Sequence, residues 1–373
     1  MKIVIAGGHL TPALAVIDQL KDHQILYIGR KHALEGDKAL SLEYQTITSK
    51  NIPFVSILAG RLQRKFTIYT IPSLLKLPIG FFQSFFILKK EKPDVVLGFG
   101  GYVSIPVIIA ATILRIPIVI HEQTLTAGLA NKIAAHLSKK ICISWESSRD
   151  FFPKSKTILT GNPIRKEIIQ SLTNPQDSEQ KSPPEADQPL AEKAKTPLIY
   201  ITGGSLGSHT INLLVEGSLK KLLRNYDVVH QTGDSKKFGD FERFEKLKSN
   251  EGLKNYIVKK FLTGKEIADV LMVADLVVSR AGMNTVTELV FFNKPCFLIP
   301  LLQGFEQKQN ANFIKKIGLA EVGAQDVLSP ISFFETISFM IKNKEKYKTS
   351  HKLIIENASE KIAEVVLNEG RKT

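Results

Sequence analysis

The run Asp275-Leu-Val-Val-Ser-Arg-Ala-Gly-Met-Asn-Thr-Val-Thr-Glu288 has the residue types and spacing to bind a charged, hydroxylated ligand. Leu276 to Val278 read as a buried strand and Ser279-Arg280-Ala281-Gly282 as a small-residue turn. A helix begins at about Asn284, with Glu288 one turn inside it. Such a turn aims backbone N–H groups, and the positive end of the helix, at whatever lies above the strand's C-terminal edge. A diphosphate binds there without a metal, and Glu288 is placed to accept hydrogen bonds from vicinal hydroxyls such as those of a ribose. The plain alternative is an ordinary strand–turn–helix with a helix-start glutamate.

A second anion-friendly turn, Gly203-Gly-Ser-Leu-Gly207-Ser208, follows a strand and opens a helix. Its glycines allow close backbone approach, and the Ser205 hydroxyl can donate to a phosphate oxygen. Two such turns on adjacent strands would hold one nucleoside diphosphate. The chain has no D-x-D and no His/Cys/Asp/Glu cluster at metal spacing. Leaving-group charge therefore falls to helix N-termini and cationic side chains, with Arg165 in Thr160-Gly-Asn-Pro-Ile-Arg165 a candidate. Neither a metal nor another cofactor is expected. In the first half, Gly7-Gly8-His9 places a histidine at the tip of the first strand–helix turn, where it suits a general base near neutral pH. Gly98-Phe-Gly-Gly-Tyr-Val-Ser104 and Ile120-His-Glu-Gln-Thr124 converge on the same strand edge.

The elements that must position these groups alternate. Apolar runs at Lys2–Ala6, Gln24–Ile28, Asp94–Leu97, Pro117–His121, Lys140–Ser144 and Lys156–Thr160 are separated by helical stretches. The pattern restarts at Pro197 and continues through Tyr226–Gln231, Tyr256–Phe261, Asp275–Ser279 and Pro295–Ile299. It predicts parallel sheets covered on both faces. Residues 173–196, rich in proline and charge with little to bury, read as a flexible linker. The expected organisation is a domain at 1–164, a hinge and linker at 165–196, and a second domain at 197–373 whose last helix packs back on the first. Both halves open with a strand running into Gly-Gly, which predicts two Rossmann-like, doubly wound domains facing each other across a cleft, the GT-B fold. Neither glycine turn completes G-x-G-x-x-G. No acidic residue ends the second strand, where Tyr27-Ile28-Gly29-Arg30 stands, so a dinucleotide oxidoreductase is disfavoured.

A length of 373 residues fits two domains, and 43% hydrophobic with 23% charged residues is ordinary for a globular protein. The net charge of +14 suits a phosphorylated substrate or an anionic membrane surface. Nucleic acid is disfavoured, because no zinc finger, aromatic RNA-binding signature or base-reading basic helix is present. Cys142 and Cys296 sit in apolar runs and read as core residues of a reducing compartment. The first residues form a strand instead of an export signal, so a cytoplasmic location is expected. Residues 68–90 are strongly apolar, flanked by Arg61, Arg64, Lys65, Lys89 and Lys90, and interrupted by Pro72, Lys76 and Pro78. They make a poor transmembrane span. They form either a helix packed on the sheet or a partly exposed patch with a basic rim that seats the domain on an anionic membrane.

Taken together, these segments resemble the MurG family of peripheral-membrane N-acetylglucosaminyltransferases of peptidoglycan synthesis. The resemblance runs in order through PALAV (12–16), KPDVVLGFGGYVSIP (92–106), IPIVIHEQ (116–123), GNPIR (161–165), GGSLGS (203–208), ADLVVSRAGMNTVTE (274–288), and PCFLIP followed by EQKQNA (295–311). It implies inverting, metal-independent transfer of GlcNAc from UDP-GlcNAc to the C4 hydroxyl of the muramyl sugar of lipid I, giving lipid II, at the cytoplasmic face of the cell membrane. Donor contacts are implied for Arg165, Ser205, Leu262 (to uracil through its backbone), Met283, Asn284, Thr285, Val286, Thr287, Glu288 (ribose) and Gln307 (GlcNAc), with Thr124 at a sugar-contacting position. His9 is implied as general base, with His121 and Glu122 in reserve, and Gly7, Gly8, Gly100, Gly101 and Tyr102 as acceptor contacts.

Three departures stand out. The family's first glycine loop, GGTGGH, is here Gly7-Gly8-His9. HEQN is replaced by His-Glu-Gln-Thr124, and the 173–196 insertion is unusual. Three rivals remain. One is another lipid-directed glycosyltransferase of the superfamily, and one is UDP-GlcNAc 2-epimerase, which shares the fold but needs no apolar 68–90 patch. The third is a UDP-sugar-binding protein that has lost catalysis with the shortened loop.

Overall fold

The computed structural model describes residues 1–32, 40–60, 70–173, 196–204, 207–235, 237–349 and 353–372. The chain divides into two compact units, Met1–Arg165 with Ile355–Thr373, and Lys166–Ile354. In chain order the first carries β1 (Lys2–Ala6), α1 (Leu10–Ile17), β2 (Gln24–Gly29), α2 (Leu42–Ser49), β3 (Phe54–Ser56), α3 (Thr70–Glu91), β4 (Val95–Gly98), α4 (Gly101–Ile113), β5 (Ile118–Glu122), α5 (Leu129–Leu137), β6 (Lys140–Ile143) and β7 (Thr157–Leu159). The second opens with α6 (Lys166–Thr173), β8 (Leu198–Thr202), α7 (His209–Asn225), β9 (Asp227–Gln231), α8 (Asp240–Glu251), β10 (Tyr256–Lys259) and α9 (Gly264–Val273). It closes with β11 (Leu276–Ser279), α10 (Met283–Phe291), β12 (Cys296–Leu298), α11 (Phe305–Lys316), β13 (Ala320–Val322) and α12 (Pro330–Lys342). The last helix, α13 (Ala358–Gly370), returns to the first unit and packs on α1, β4 and β5.

Both sheets are wholly parallel and share one winding. Their orders are β3-β2-β1-β4-β5-β6-β7 and β10-β9-β8-β11-β12-β13. The chain direction across the sheet therefore reverses between β1 and β4 in one unit and between β8 and β11 in the other, and the loops leaving those strands flank a crevice. The same device fixes both central pairs from below. Asp94 Oδ2 accepts the Lys2 N–H at 2.7 Å, and Asp275 Oδ2 accepts the Leu198 N–H at 2.9 Å. Ile3, Val4, Ile5 and Ala6 are all fully buried, as are Leu276, Val277 and Val278, because helices cover both faces of each sheet. Cys142 in β6 and Cys296 in β12 are free, buried thiols, and burial raises the Cys142 pKa to about 12.

The structure departs from the sequence reading in three places. β3 and β13, three residues each, are edge strands that the pattern did not mark. Lys166–Thr173 is not hinge but helix, and it packs on α9 in the second unit. The second unit ends at Ile354 instead of Thr373, because the last helix, expected to pack back on the first domain, is part of the first unit. Apart from Thr173 and Thr196, the 173–196 linker lies outside the described residues.

Within 68–90, the described part is helix α3, and its two faces differ. Phe81, Phe85 and Ile87 pack against the core formed with α4 and α5, with Leu88 fully buried, while Ile79, Phe82 and Phe86 are exposed. The neighbouring helices also expose apolar side chains, Ile109 and Ile113 of α4 and Leu129, Ile133 and Leu137 of α5. Arg61, Arg64 and Lys65 lie outside the described residues. Among the described residues no helix is long and apolar enough to cross a membrane.

Candidate active site

In the second unit the two glycine turns leave the adjacent strands β8 and β11 at the reversal point. Ser205 and Leu206 lie outside the described residues, but the ends of their turn are well fixed. Gly204 and Gly207 take left-handed φ values of +84° and +72°. A Cβ on Gly207 would collide with the Thr232 carbonyl, so the end of β9 closes against the turn. The Gly204 carbonyl accepts from Gln231 Nε2 at 3.2 Å and from the Gly207 N–H at 3.0 Å. Gln231 is held in turn by the Tyr200 hydroxyl at 3.0 Å. Turning this carbonyl into the protein removes an acceptor that would repel an anion. Behind it His230, fully buried, lies between the Tyr256 hydroxyl at 2.8 Å and Asn212 Oδ1 at 3.1 Å, and burial lowers its pKa to about 3.

At the second turn α10 begins at Met283, one residue before the expected start. Met283, Val286 and Thr287 bury their side chains, which leaves their main chain for any ligand contact. Asn284 and Thr285 are partly exposed, and Asn284 Oδ1 has no partner among the described residues. Glu288 is buried in the second turn of the helix. Arg280 is 9% exposed and ties three segments together. Its Nη1 donates to the Ile299 carbonyl at 2.8 Å and the Pro300 carbonyl at 3.3 Å, and its Nη2 donates to Ser208 Oγ at 2.6 Å. Burial lowers its pKa to about 10, which still leaves it cationic at neutral pH. Asn310 Nδ2 reaches the Ala281 carbonyl at 3.0 Å and fixes α11 to the same turn. On that helix Gln307 Oε1 accepts the Leu301 N–H at 3.1 Å. Leu262 lies between β10 and α9, partly buried, next to a reciprocal cap in which Thr263 and Glu266 fix the start of α9.

In the first unit the turns after β1 and β4 pack backbone on backbone. A Cβ on Gly8 would collide with the Gly100 carbonyl, and one on Gly101 would stand 3.1 Å from Gly8 Cα. Gly100 and Gly101 both hold left-handed φ, +72° and +73°. Tyr102, on the first turn of α4, lies beneath the Arg30 guanidinium, 5.1 Å from its ring centre. The shortened loop is not left open. A Cβ on Gly7 would run into the carboxylate of Glu43 from α2, which accepts from the Tyr27 hydroxyl at 2.7 Å and the Arg30 N–H at 3.2 Å. The Gly7 N–H itself donates to the Ile28 carbonyl at 2.9 Å. A diphosphate placed at Gly7 would meet the Glu43 charge, so the electrostatics of this turn favour a neutral hydroxyl ligand.

His9 is the N-cap of α1, partly exposed, and makes no capping bond with its side chain. Burial lowers its pKa below the ordinary histidine range, and the nearby Glu122 charge partly raises it. The two reserve bases are built differently. The sequence reading ended the strand at His121, whereas β5 continues through Glu122 and both side chains are buried within the sheet edge. His121 Nε2 lies 3.0 Å from Ser144 Oγ and 3.4 Å from the Gly161 carbonyl, and burial lowers the ring pKa to about 3. Near neutral pH it therefore takes up no proton. Glu122 accepts from the Thr124 N–H and hydroxyl at 2.9 and 2.7 Å, the Gly128 N–H at 2.8 Å and Asn131 Nδ2 at 3.0 Å. Its lone pairs are engaged in shaping the turn. Thr124 is buried and its hydroxyl donates to Glu122, which leaves that oxygen to a sugar hydroxyl only as an acceptor. Arg165, partly exposed, is the last residue of the first unit's main segment.

The structure thus gathers Glu288, Gln307, Leu262 and the two glycine turns in one unit, and His9, His121, Glu122, Tyr102 and the Gly7–Gly8 and Gly100–Gly101 turns in the other. Sequence reading missed Glu43 and the Arg280–Ser208 bond, both of which depend on helices brought together by folding. Among the described residues no group of three or more His, Cys, Asp or Glu side chains is arranged to hold a metal ion.

Comparison with known proteins follows the same division. The glycosyltransferase family 28 N-terminal domain matches residues 6–143, and the C-terminal domain of that family matches residues 198–366. A relative from Clostridium perfringens (strain SM101 / Type A), named UDP-N-acetylglucosamine--N-acetylmuramyl-(pentapeptide) pyrophosphoryl-undecaprenol N-acetylglucosamine transferase, is 36% identical over 362 residues, covering 94% of this chain and 93% of its own. A Bacillus cereus transferase of the same name, numbered 2, is 34% identical and covers 98% of each chain. Among solved structures, Acinetobacter baumannii MurG superimposes with a TM-score of 0.71 at 25% identity, covering 98% of this chain and 99% of that one. UDP-GlcNAc 2-epimerase from Neisseria meningitidis, at 18% identity and a TM-score of 0.64 over 99% of this chain and 100% of its own, shares the fold. With two Rossmann-like domains of the GT-B type and full-length relatives of this kind, the chain belongs to glycosyltransferase family 28, and within it to the MurG glycosyltransferases.

Proposed function

We propose that this protein transfers GlcNAc from UDP-GlcNAc to the C4 hydroxyl of the MurNAc sugar of lipid I, forming lipid II, with inversion, without a metal and at the cytoplasmic face of the cell membrane. The observation that carries this reading is the 36% identity, over 94% of the chain, to a transferase named for that donor and acceptor. In the second unit Glu288 would accept from the ribose hydroxyls, Gln307 would meet the GlcNAc hydroxyls and the Leu262 backbone would meet uracil. The 203–208 and 279–282 turns would face the diphosphate, with Ser205 and Arg165 as further contacts. In the first unit the acceptor would lie against Tyr102 and the Gly100–Gly101 turn. As the C4 oxygen bonds to the anomeric carbon, the bond from that carbon to the diphosphate breaks, UDP leaves, and the hydroxyl proton passes to His9. Helix N-termini and cationic side chains stabilise the departing charge.

The exposed apolar residues of α3 and α4, rimmed by Lys89, Lys90 and the wider positive charge, support reversible seating on an anionic membrane surface. The deciding experiment measures UDP release from UDP-GlcNAc with and without a lipid I analogue in the presence of a chelator. The expected result is release that depends on the acceptor and persists with chelator. Turnover of UDP-GlcNAc without acceptor would indicate an epimerase, and tight binding without turnover a UDP-sugar-binding protein.

A further inference from the structure

The two units treat their glycine turns in opposite ways. In the second, a Cβ on Gly204 or on Gly282 would meet no atom of the described residues within 4 Å, and Gln231 turns the Gly204 carbonyl into the protein. In the first, both glycines after β1 are blocked, and oxygen atoms block them. A Cβ on Gly7 would run into Glu43 Oε1, and one on Gly8 into the Gly100 carbonyl, with the Phe99 carbonyl 2.8 Å away. The Gly7 N–H, which could otherwise face a phosphate, is bonded to the Ile28 carbonyl at 2.9 Å. Gly29, at the end of β2, lies against the same carboxylate, and a Cβ there would stand 2.9 Å from Glu43 Oε2. The start of α2 holds Glu43 in this place. Ser41, its N-cap, accepts the Tyr44 N–H at 3.0 Å, donates its hydroxyl to the Arg30 carbonyl at 2.5 Å and its N–H to the Lys31 carbonyl at 2.8 Å. The carboxylate then accepts from the Tyr27 hydroxyl and the Arg30 N–H, while the Tyr27 and Tyr44 rings pack on Phe54. A helix start such as that of α1, with no acidic residue in its first turn, attracts an anion. Here the anion is the protein's own.

We propose that Glu43 is a specificity-determining residue of the acceptor side, barring phosphate from the turn that carries His9 and so fixing which way round the acceptor binds. This rests on the reading that the first unit takes a sugar linked to a diphosphate. Such an acceptor offers a glycine turn two groups, the diphosphate and the hydroxylated ring. With the diphosphate at Gly7 the sugar hydroxyl would lie away from His9, and no transfer would follow. With the Glu43 charge in place only the uncharged ring is tolerated there, and its hydroxyl meets the base. Glu122, the other carboxylate whose charge reaches His9, is bonded by three N–H groups and the Thr124 hydroxyl. Glu43 is the charge met at Gly7 itself.

The test measures steady-state transfer by the full-length protein and its Glu43→Gln variant, which keeps the shape of the side chain and removes its charge. Two acceptor analogues are used, alike except that the second carries a neutral linker in place of the diphosphate. A substrate that also binds the wrong way round lowers kcat and KM by the same factor and leaves kcat/KM unchanged. In Glu43→Gln, kcat and KM for the diphosphate acceptor should therefore fall together by about threefold or more, with kcat/KM within about twofold of wild type. The neutral acceptor should keep wild-type values of both. A loss of kcat/KM shared by the two acceptors, as a merely structural role would give, overturns the proposal, and so do unchanged kinetics with the diphosphate acceptor. If circular dichroism shows that Glu43→Gln does not fold, the wild-type protein decides. Isotopically labelled at glycine and saturated with UDP, it is titrated with inorganic pyrophosphate and followed by NMR. Unmoved Gly7 and Gly8 amide signals support the exclusion, and a saturable shift of either overturns it. A wild-type protein that transfers to neither acceptor defeats the transferase reading itself, whereas wild-type transfer matched by Glu43→Gln defeats only the role of Glu43.

Discussion

At the scale of single residues, the roles proposed for Glu288 and His9 are separable parts of the chemistry. Glu288 is buried in α10, and deleting a charged acceptor proposed to hold the ribose hydroxyls should weaken UDP-GlcNAc binding by roughly 1–3 kcal/mol in Glu288→Ala. Equal affinities of mutant and wild type by calorimetry would refute the ribose role. His9 acts as a base only as neutral imidazole, and burial lowers its pKa below the ordinary 6.5. The acid limb of kcat/KM assigned to it should therefore fall below that value, with activity lost as the pH drops through it. His9→Ala should lower kcat by at least about a hundredfold, abolish that limb and leave the KM for UDP-GlcNAc nearly unchanged. A near-normal kcat in the variant would contradict the assignment. Glu288 and His9 stood out as candidates in the sequence because each lies on a strand–turn–helix segment, His9 in the turn after β1 and Glu288 in the helix after β11. Glu43 over Gly7 was not, since only the placement of α2 against the β1 and β2 turns brings them together. The burial of His121 and Glu122 was missed for a smaller reason, a strand longer by one residue than its apolar run.

At the scale of elements, the parallel strands could be read because residues buried on both faces form near-continuous apolar runs. Phe54–Ser56 and Ala320–Val322 could not, because these short edge strands are partly exposed and leave no such run. For α3 the sequence left two readings open, a packed helix or an exposed patch, and the structure assigns them to opposite faces of one helix. Phe82 and Phe86 point outward while Phe81 and Phe85 face the core, so a test need not disturb folding. Phe82→Ser with Phe86→Ser should reduce binding to anionic vesicles with helix content by circular dichroism unchanged. Wild-type binding should fall with salt, because screening acts on the basic rim. Salt-independent binding, or a double variant that binds as wild type does, would contradict membrane seating through this face.

At the scale of the whole molecule, two sheets with one winding were foreshadowed by two strand-to-Gly-Gly openings, and the last helix, α13, returns to the first unit. Its buried Ile362, Ala363 and Val366 form an amphipathic stripe that would suit either sheet. Each unit also buries a neutral histidine, His121 and His230, whose pKa of about 3 lies well under the 6.5 of an unfolded chain. Above pH 6.5 neither state holds the proton, and this source of stability is complete. Below it the unfolded chain binds protons that the folded chain refuses, so stability is lost progressively down to about 3. The slope is about 1.4 kcal/mol per pH unit for each histidine. Urea denaturation at pH 7 and pH 5 should therefore show a loss of about 2 kcal/mol per histidine, and a midpoint that does not move would contradict their neutral burial. The claim on which everything else depends is the transfer itself. The most direct measurement incubates the protein with UDP-GlcNAc and a lipid I analogue and analyses the product by mass spectrometry and NMR. One N-acetylhexosamine added to the muramyl C4 oxygen through an inverted, β-configured bond is the predicted result. An unmodified acceptor, or a donor altered in its absence, would contradict the account.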